Sequence, residues 1–536
     1  MALTSFNFLV FLAAVITVYY LVPKKYQWCV LLVASYGFYL SSGIAHVLYI
    51  LGTTLFTYGA GRWMQRVRDD FQTSLDNLGS DVTKDQKREM KKAVTAKIHR
   101  IQVITVLVNL GVLAYIKYLN FFIGNINNVL AFFTWDASIP MVNVLVPLGL
   151  SYYTFNSVGY LVDVGRGKHP AEKNLGKFAL FVSFFPSIVQ GPLFRFGDVG
   201  MQLQQEHELQ YNNLKYGAQL ILWGFFKKLV IADRVSAIAL TVFSADFVNY
   251  TGSHVFVGVL AYSFQIYCDF SGGTDITRGV AQMMGINLPM NFERPFFATS
   301  MADFWRRWHM SLGAWMREFV FYPIMLSKGV TSLSKKFRQR YGTHAAKMVP
   351  SVAAPMVVFF LIGIWHGLTW QYIVNGLYNA ILISSSVALQ PVYQKLAQKL
   401  HVNTETFAFR LFQMLRTFVL LCFSRIIVKA PSLGDGLKMI KSLFTGWDLK
   451  FLFGLDGKIF TDYGVNYRDL FLLFCAIGLL FIVGVLQERG MKIRETLSRQ
   501  PLVIRWGLVL GLLFIVLVFG IYGPVYDASS FIYGGF

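Results

Sequence analysis

Charged residues are scarce in this 536-residue chain, and acidic residues are the scarcest. Only 14% of positions are charged, and 49 Lys and Arg stand against 28 Asp and Glu, which gives a net charge of +21. Soluble domains average about 25% charged residues. The composition therefore disfavours a water-soluble globule, a disordered chain and a nucleic-acid-binding protein, because each needs a more polar chain. With 55% hydrophobic residues, the sequence predicts a membrane protein.

The sequence also has few cysteines and none of the common metal or cofactor motifs. The four cysteines are far apart and lie inside apolar runs, so they indicate neither a CxxC site nor a disulfide framework. The sequence contains no HExxH pair, no P-loop and no Gly-rich dinucleotide fingerprint. We therefore expect no metal site and no tightly bound cofactor. ATP-driven transport and redox chemistry lack support.

Long apolar runs recur along the whole chain. About 20 helical residues cross the hydrocarbon layer of a bilayer, and runs near that length occur at 3–22, 26–42, 44–61, 101–124, 141–161, 214–247, 254–271, 349–366, 367–390, 409–430, 467–486 and 507–523. Segments 178–194 and 303–326 are apolar but interrupted. The pattern predicts a single all-α, polytopic membrane domain over residues 1–536, with 11 to 13 membrane helices, some of them broken or re-entrant.

Basic residues collect in three segments, which predicts how the chain is oriented. Residues 62–100 carry ten Lys and Arg, 327–347 carry six, and 487–506 carry five, so we expect these segments on the cytoplasmic side. Residues 125–140 have none, and 431–466 hold four of each sign, which fits an extracytoplasmic location. Both termini are then expected outside. Orientation and contact with membrane lipids explain the positive charge without an acidic partner.

Residues 69–100, within the first basic segment, are polar and prone to form helix. We expect an amphipathic or surface helix there.

Two polar stretches interrupt otherwise apolar sequence. In 183–192 two prolines and a glycine predict a broken backbone that must pack inside protein or line a wet space. In the second stretch, Asp269 and Asp275 flank Ser-Gly-Gly, where we expect a break. Their carboxylates could accept backbone N–H groups or pair with Arg278, and these structural roles are favoured over a catalytic one.

A third stretch carries the first candidate histidine. Asp303 and Arg307 are i,i+4 neighbours that can neutralise each other on a helix. His309 lies among Trp305, Trp308 and further aromatic residues, which is typical of a re-entrant or interfacial helix. A structural, hydrogen-bonded histidine is the alternative.

The fourth stretch contains His366, at the junction of the apolar runs 349–366 and 367–390. Gly363 and Gly367 give its backbone room to bend. The polar residues that follow, Gln371, Asn375 and Asn379, repeat at i,i+4,i+8 and form one stripe on an apolar helix. An imidazole can take and return a proton near neutral pH, so His366 is the best candidate base.

Four runs together carry a family resemblance: FFPSIVQGPLFRF, FQIYCDFSGGTDITRG, FWRRWHMSLGAWMREFVFYP and GIWHGLTWQYIVNGLYNA. In this order they resemble the membrane-bound O-acyltransferase (MBOAT) family, specifically its bacterial branch. That branch includes the membrane subunit of alginate O-acetylation, the peptidoglycan O-acetyltransferases and the D-alanyl transfer protein of teichoic acids. The resemblance covers about residues 5–430 and is dense in 178–390, the predicted catalytic core.

The resemblance implies an acyltransferase of the bacterial cytoplasmic membrane, built around a central funnel or tunnel. It implies that His366, in the WHG motif, is catalytic and that His309, in the RWH motif, is the second active-site position. It further implies acetyl-CoA or a similar cytoplasmic thioester as the acyl donor and an extracytoplasmic polysaccharide or cell-wall polymer as the acceptor. An SGNH-type extracytoplasmic partner is expected to carry the group onward.

The expected chemistry is the attack of a hydroxyl on a thioester carbonyl, with neutral His366 as general base. The oxyanion could be stabilised by His309, a tryptophan N–H or the Asn375 amide. We therefore predict substrate contacts at Trp305, Trp308, Trp365 and Asn375. Two alternatives stay open: D-alanyl transfer to teichoic acid, and a transporter or channel, which also has broken helices and buried charges but for which we see no inverted repeat.

Overall fold

The computed structural model describes residues 1–77, 83–133, 135, 137–244, 251–455 and 457–522. Nearly all regular structure in these ranges is helical, and their only β pairing is an isolated bridge between Phe292 and Trp308. Hydropathy and helix length together agree with the predicted all-α, polytopic membrane protein.

Seven helices are long and apolar enough to cross a membrane, and the described residues yield eight if one bent pair counts as a span. The seven are Ile44–Asn77, Lys84–Phe132, Gly252–Met283, Lys328–His366, Phe407–Lys429, Tyr467–Glu488 and Leu502–Phe519. The bent pair is Trp370–Ala388 and Gln390–Lys399, with an angle of 58° between its halves. Other predicted apolar runs fall on shorter helices, including Phe6–Leu21, Gln27–Leu40, Leu150–Gly165 and Leu175–Ser183. The run 214–247 is divided into three helical segments, and its last residues lie outside the described part of the chain.

Local sequence signals set many of the helix ends. Thr83 caps the Lys84–Phe132 helix in a capping box with Gln86, which satisfies backbone N–H groups that have no partner inside the helix. Before the Leu150–Gly165 helix, Gly149 adopts φ +67°, a conformation that costs glycine little. The Lys328–His366 element is kinked at Gly342, where φ is +82°.

The described residues of the polar segment 69–100 are mostly helical and exposed, as predicted. They are not a helix of their own, because residues 69–77 continue the Ile44–Asn77 helix and residues 84–100 begin the Lys84–Phe132 helix. Residues 78–82 of this segment lie outside the described part of the chain. The polar residues of this segment have high helix propensity, so both long helices extend beyond their apolar portions.

The chain divides into two compact units. Among the described residues, the first comprises Met1–Ala218 and Thr277–Pro289, and the second comprises Gln219–Ile276 and residues 290–522. In the first unit, the predicted break in 183–192 is confirmed. The Leu175–Ser183 helix ends, a short Phe185–Ile188 helix follows, and the chain is then non-helical up to Arg195. Nearly all of these residues are buried, as expected for broken backbone in a membrane protein.

The second unit contains the Asp269–Asp275 stretch, and here the predicted break is wrong. The Gly252–Met283 helix runs through Ser-Gly-Gly without interruption. Gly272 serves close packing instead, because a Cβ there would lie 2.9 Å from the carbonyl oxygen of Gly224. Both carboxylates are paired, as the structural interpretation predicted, but with lysines: Asp269 with Lys228 and Asp275 with Lys227, each at 2.7 Å.

Candidate active site

His309 lies at a break between two short helices, Met301–Arg307 and Met310–Met316. Its backbone has φ +46° and ψ +52°, the left-handed conformation that non-glycine residues rarely adopt. Such strain persists only where the surrounding structure holds it, and it often marks functional sites. The predicted i,i+4 pair is confirmed just before the break, with Arg307 Nε 3.3 Å from an Asp303 carboxylate oxygen.

A short segment around Asn291 holds this break in place through the backbone. Met310 N–H donates to the carbonyl oxygen of Asn291 at 2.9 Å, and Glu293 N–H donates to that of Arg307 at 2.9 Å. The Phe292–Trp308 bridge lies between these two hydrogen bonds. The residues on both sides of His309 are therefore tied to one segment.

The Asn291 side chain also contacts the histidine directly. Asn291 is fully buried, and its Oδ1 lies 3.1 Å from His309 Nδ1, 3.1 Å from Ser311 N and 2.8 Å from Ser311 Oγ. His309 is itself only 7% exposed, and the edge of the Phe270 ring closes another side at a centroid distance of 4.8 Å. The imidazole is thus held by one polar partner within an aromatic wall.

His366 ends the Lys328–His366 helix and is half-buried. Its ring lies 4.6 Å from the Trp365 ring and stacks on Tyr372 at 6.0 Å, with 19° between the planes. The Trp365 ring is also 6.0 Å from that of His309. The structure therefore brings the two predicted histidines to the same tryptophan, although 57 positions separate them in the sequence.

Burial and a neighbouring charge both act on His309, which lies outside the membrane-length helices. Burial lowers the pKa of His309 far below its ordinary value, because a buried imidazolium loses its hydration. A positive charge on His366, when that ring is protonated, would lower this pKa further. At neutral pH His309 is therefore an uncharged imidazole.

Glycines let the two helices that flank His366 approach closely. A Cβ on Gly363 would lie 2.6 Å from the carbonyl oxygen of Tyr372, and a Cβ on Gly376 would lie 2.4 Å from that of Phe359. At Gly367 an added Cβ would lie 2.9 Å from the Tyr372 ring, the ring that stacks on His366. The glycines of this motif thus set the position of the stacking partner.

The predicted polar stripe faces protein and is hydrogen-bonded. Asn379 Nδ2 donates to the Asn375 carbonyl oxygen at 2.8 Å, and Asn379 Oδ1 accepts the indole N–H of Trp305 at 3.1 Å. Ser424 Oγ donates to Asn375 Oδ1 at 2.5 Å, and Gln371 donates to a backbone carbonyl. Hydrogen bonds from the stripe therefore fix its helix to the neighbouring elements.

The four predicted substrate contacts thus occupy different environments. Trp365 lies between the histidines, whereas Trp308 is buried against the rings of Phe292 and Phe304. The N–H of Trp305 and the Oδ1 of Asn375 already have protein partners. Trp365 is the tryptophan of this set that contacts both histidine rings.

A cavity of about 300 Å³ opens beside His309. Its walls are mostly apolar, with Trp305, Val358 and Ile362 among the lining side chains, and it also includes Arg306 and Arg317. An apolar space with an imidazole in its wall and guanidinium groups beside it fits an anionic molecule with an apolar arm.

Sequence reasoning missed three residues of this site. Tyr372 lies inside the GIWHGLTWQYIVNGLYNA run but was not singled out, and the signal for Asn291 is its place in Met-Asn-Phe-Glu-Arg-Pro, which precedes the RWH segment. Glu488 binds Arg307 at 3.0 Å and Arg294 at 2.7 Å from 181 and 194 positions away. No local pattern indicates that contact.

Comparison with known proteins gives consistent matches. The family model for the membrane-bound O-acyltransferase family, MBOAT, matches residues 167–425, a range that contains both histidines. A probable alginate O-acetylase of Pseudomonas aeruginosa is 30% identical over 435 residues, which cover 81% of this chain and 73% of that protein.

Two further relatives are named for different activities. A peptidoglycan O-acetyltransferase of Helicobacter pylori is 26% identical over 65% of this chain and 67% of its own. A teichoic acid D-alanyltransferase of Streptococcus thermophilus is 33% identical over 44% of this chain and 55% of its own.

Proposed function

This chain belongs to the membrane-bound O-acyltransferase family and is a multi-pass membrane acyltransferase, and from that premise we propose that it O-acetylates an extracytoplasmic polysaccharide or cell-wall polymer. The acyl group comes from a cytoplasmic thioester, with acetyl-CoA as the donor. The observation that carries this proposal is the pair of histidines, His309 and His366, that meet at Trp365 beside an apolar cavity.

The proposed reaction uses His366 as the general base. The acceptor hydroxyl attacks the thioester carbonyl carbon, a C–O bond forms, and the hydroxyl proton passes to the imidazole of His366. The C–S bond then breaks, and the departing thiolate takes up the proton. An N–H group near Trp365 stabilises the oxyanion that forms on the thioester carbonyl oxygen. A hydrogen-bond donor acts more strongly in a water-poor site than in water.

The cavity beside His309 is the proposed donor site. Its apolar walls fit the pantetheine arm and acetyl group, and Arg306 and Arg317 supply the positive charge that phosphate groups bind. Arg317 lies shortly before the basic segment 327–347, which the charge distribution assigns to the cytoplasm. A cytoplasmic donor therefore meets the site from the side where basic residues are concentrated.

The proposed setting is the bacterial cytoplasmic membrane, with both termini outside. An SGNH-type extracytoplasmic protein then receives or directs the acetyl group. The segment 431–462, which contains the Leu433–Thr445 helix, is the proposed docking region for that partner.

Vesicles containing the purified protein test the proposed donor. With acetyl-CoA labelled in the acetyl group and an oligosaccharide acceptor inside the vesicles, we expect labelled ester to form only when the protein is present.

D-alanyl transfer is the second candidate, because one relative is a teichoic acid D-alanyltransferase. A parallel reaction with a D-alanyl carrier protein and teichoic acid tests it. Labelling from the carrier alone would replace the acetyl proposal.

Filling the cavity should block the proposed donor. Gly313 lines it, and an added Cβ would have its nearest neighbour, the Trp305 carbonyl oxygen, at 3.7 Å, so Gly313→Ala fits and Gly313→Leu projects into the space. We expect Gly313→Leu to lower acetyl transfer about 10- to 100-fold, because displacing a bound reactant by about 1 Å has that effect. Initial rates across donor concentrations measure it.

The matched control is Gly329→Leu, since Gly329 is exposed and an added Cβ there meets no atom within 4 Å. Its rate should equal that of the native protein. A native rate in folded Gly313→Leu would contradict the assignment of the cavity to the donor.

A further inference from the structure

The hydrogen bonds at Asn291 determine which of its side-chain atoms faces His309. The oxygen and nitrogen of an asparagine amide have to be assigned from their partners. Here the backbone N–H of Ser311, which can only donate, lies 3.1 Å from the atom in question. That atom must therefore be the acceptor, Oδ1.

The same oxygen determines where His309 carries its proton. Oδ1 has no hydrogen to give, and His309 Nδ1 lies 3.1 Å from it, so Nδ1 must be the donor. A neutral imidazole has one N–H group. Nε2 of His309 then carries a lone pair and can accept a proton, but it cannot donate a hydrogen bond.

The backbone makes this arrangement rigid. Asn291 is fully buried, and its carbonyl oxygen accepts Met310 N–H at 2.9 Å, one residue beyond the histidine. The backbone of His309 itself has the left-handed conformation, between the residues that are hydrogen-bonded to the Asn291 segment. The asparagine and the imidazole therefore belong to one fixed unit rather than to two mobile side chains.

We propose that Asn291 is a positioning residue that holds His309 as the Nδ1–H tautomer, so that Nε2 of His309 is a hydrogen-bond acceptor in the acyl-transfer site. The role of Nε2 in acyl transfer rests on the proposed function. The tautomer of His309 does not depend on that function. It removes neutral His309 from the candidate oxyanion donors.

The assignment also gives the second histidine a role in the proposed reaction. The proton that leaves the hydroxyl has to reach the sulfur of the thioester, and the donor cavity is lined by His309. With its lone pair, Nε2 of the neutral His309 accepts a hydrogen bond at the donor cavity, and His366 returns the proton that it removed from the hydroxyl to the thiolate as the C–S bond breaks. One proton moves, His309 stays neutral, and His366 is neutral again at the end.

Nitrogen NMR of the full-length protein in lipid, with ¹⁵N-labelled histidine, tests the tautomer without any activity assay. Comparison with His309→Gln assigns the signals of His309. We expect a protonated Nδ1 and an unprotonated Nε2 for His309, and loss of this single pattern in Asn291→Ala. A native spectrum with the proton on Nε2, or an unchanged pattern in folded Asn291→Ala, would overturn the proposal even if the protein transfers acetyl groups.

Rescue separates positioning from a purely structural effect. Asn291→Ala should lower kcat about 10- to 100-fold, the usual effect of removing the partner that orients a functional ligand or base. Asn291→Asp keeps an acceptor for Nδ1–H and should recover most of this loss. If Asp and Ala lower kcat equally while both variants stay folded, Asn291 does not act through the imidazole. If native protein shows the expected tautomer but no acyl transfer, the proposed function fails and the tautomer assignment stands.

Discussion

Replacement of His366 by alanine is expected to lower acyl transfer about 10²- to 10⁴-fold, the usual contribution of a general base. The variant should stay folded, because the ring is half-buried and its neighbours, Trp365 and Tyr372, remain. Initial rates with labelled acetyl-CoA in vesicles measure the loss, and size-exclusion chromatography in detergent checks the fold.

A histidine on the same kinked element supplies the control. His344 is exposed and lies 22 positions before His366, so His344→Ala should transfer acetyl groups at the native rate. Equal rates for native protein and His366→Ala would reject the assigned base. Loss in both variants would point to damage to the whole element instead.

Lys228→Met is expected to cause the largest loss of stability. Lys228 is 1% exposed and pairs with Asp269 at 2.7 Å and with Asp233 at 2.8 Å. Without the ammonium group, both carboxylates lose this buried partner. Removing one partner of a buried ion pair costs about 3–5 kcal/mol. We therefore expect a large fall in melting temperature and in the yield of monodisperse protein.

A surface pair and a rescue variant make this test specific. Lys492 and Glu495 form an exposed pair, with side chains 75% and 49% accessible, so Lys492→Met should leave the melting temperature almost unchanged. Adding Asp233→Asn and Asp269→Asn to Lys228→Met removes the two carboxylate charges that Lys228 neutralised and should restore part of the loss. A native melting temperature for Lys228→Met would show that the buried charges do not support the fold.

Predictions from short-range patterns agree well with the structure. The pairing of Asp303 with Arg307 follows from the i,i+4 geometry of a helix, and it forms. The broken backbone of 183–192 follows from its prolines, since proline removes an N–H group and disturbs the preceding turn. Both predictions need only the neighbouring residues.

Predictions that required a distant partner were incomplete. Asp269 and Asp275 were expected to be paired, but their lysines lie more than 40 positions away inside an apolar run. The Ser-Gly-Gly motif looks like a break, yet the close carbonyl of Gly224 makes it a packing site in a continuous helix. Whether a glycine loosens a helix or allows a close approach depends on what lies opposite.

Composition and motifs by themselves determined the membrane class, the helical fold and the acyltransferase family, and they proposed the two candidate histidines, because hydropathy, helical spacing and motif order are all properties of the linear sequence. Tertiary structure alone decided that both histidines meet at Trp365, that Asn291 holds the Nδ1 atom of His309, and that Lys228 neutralises Asp269. The physical reason is that a proton's position and a buried charge depend on atoms within about 3 Å, and folding brings those atoms together from distant parts of the sequence.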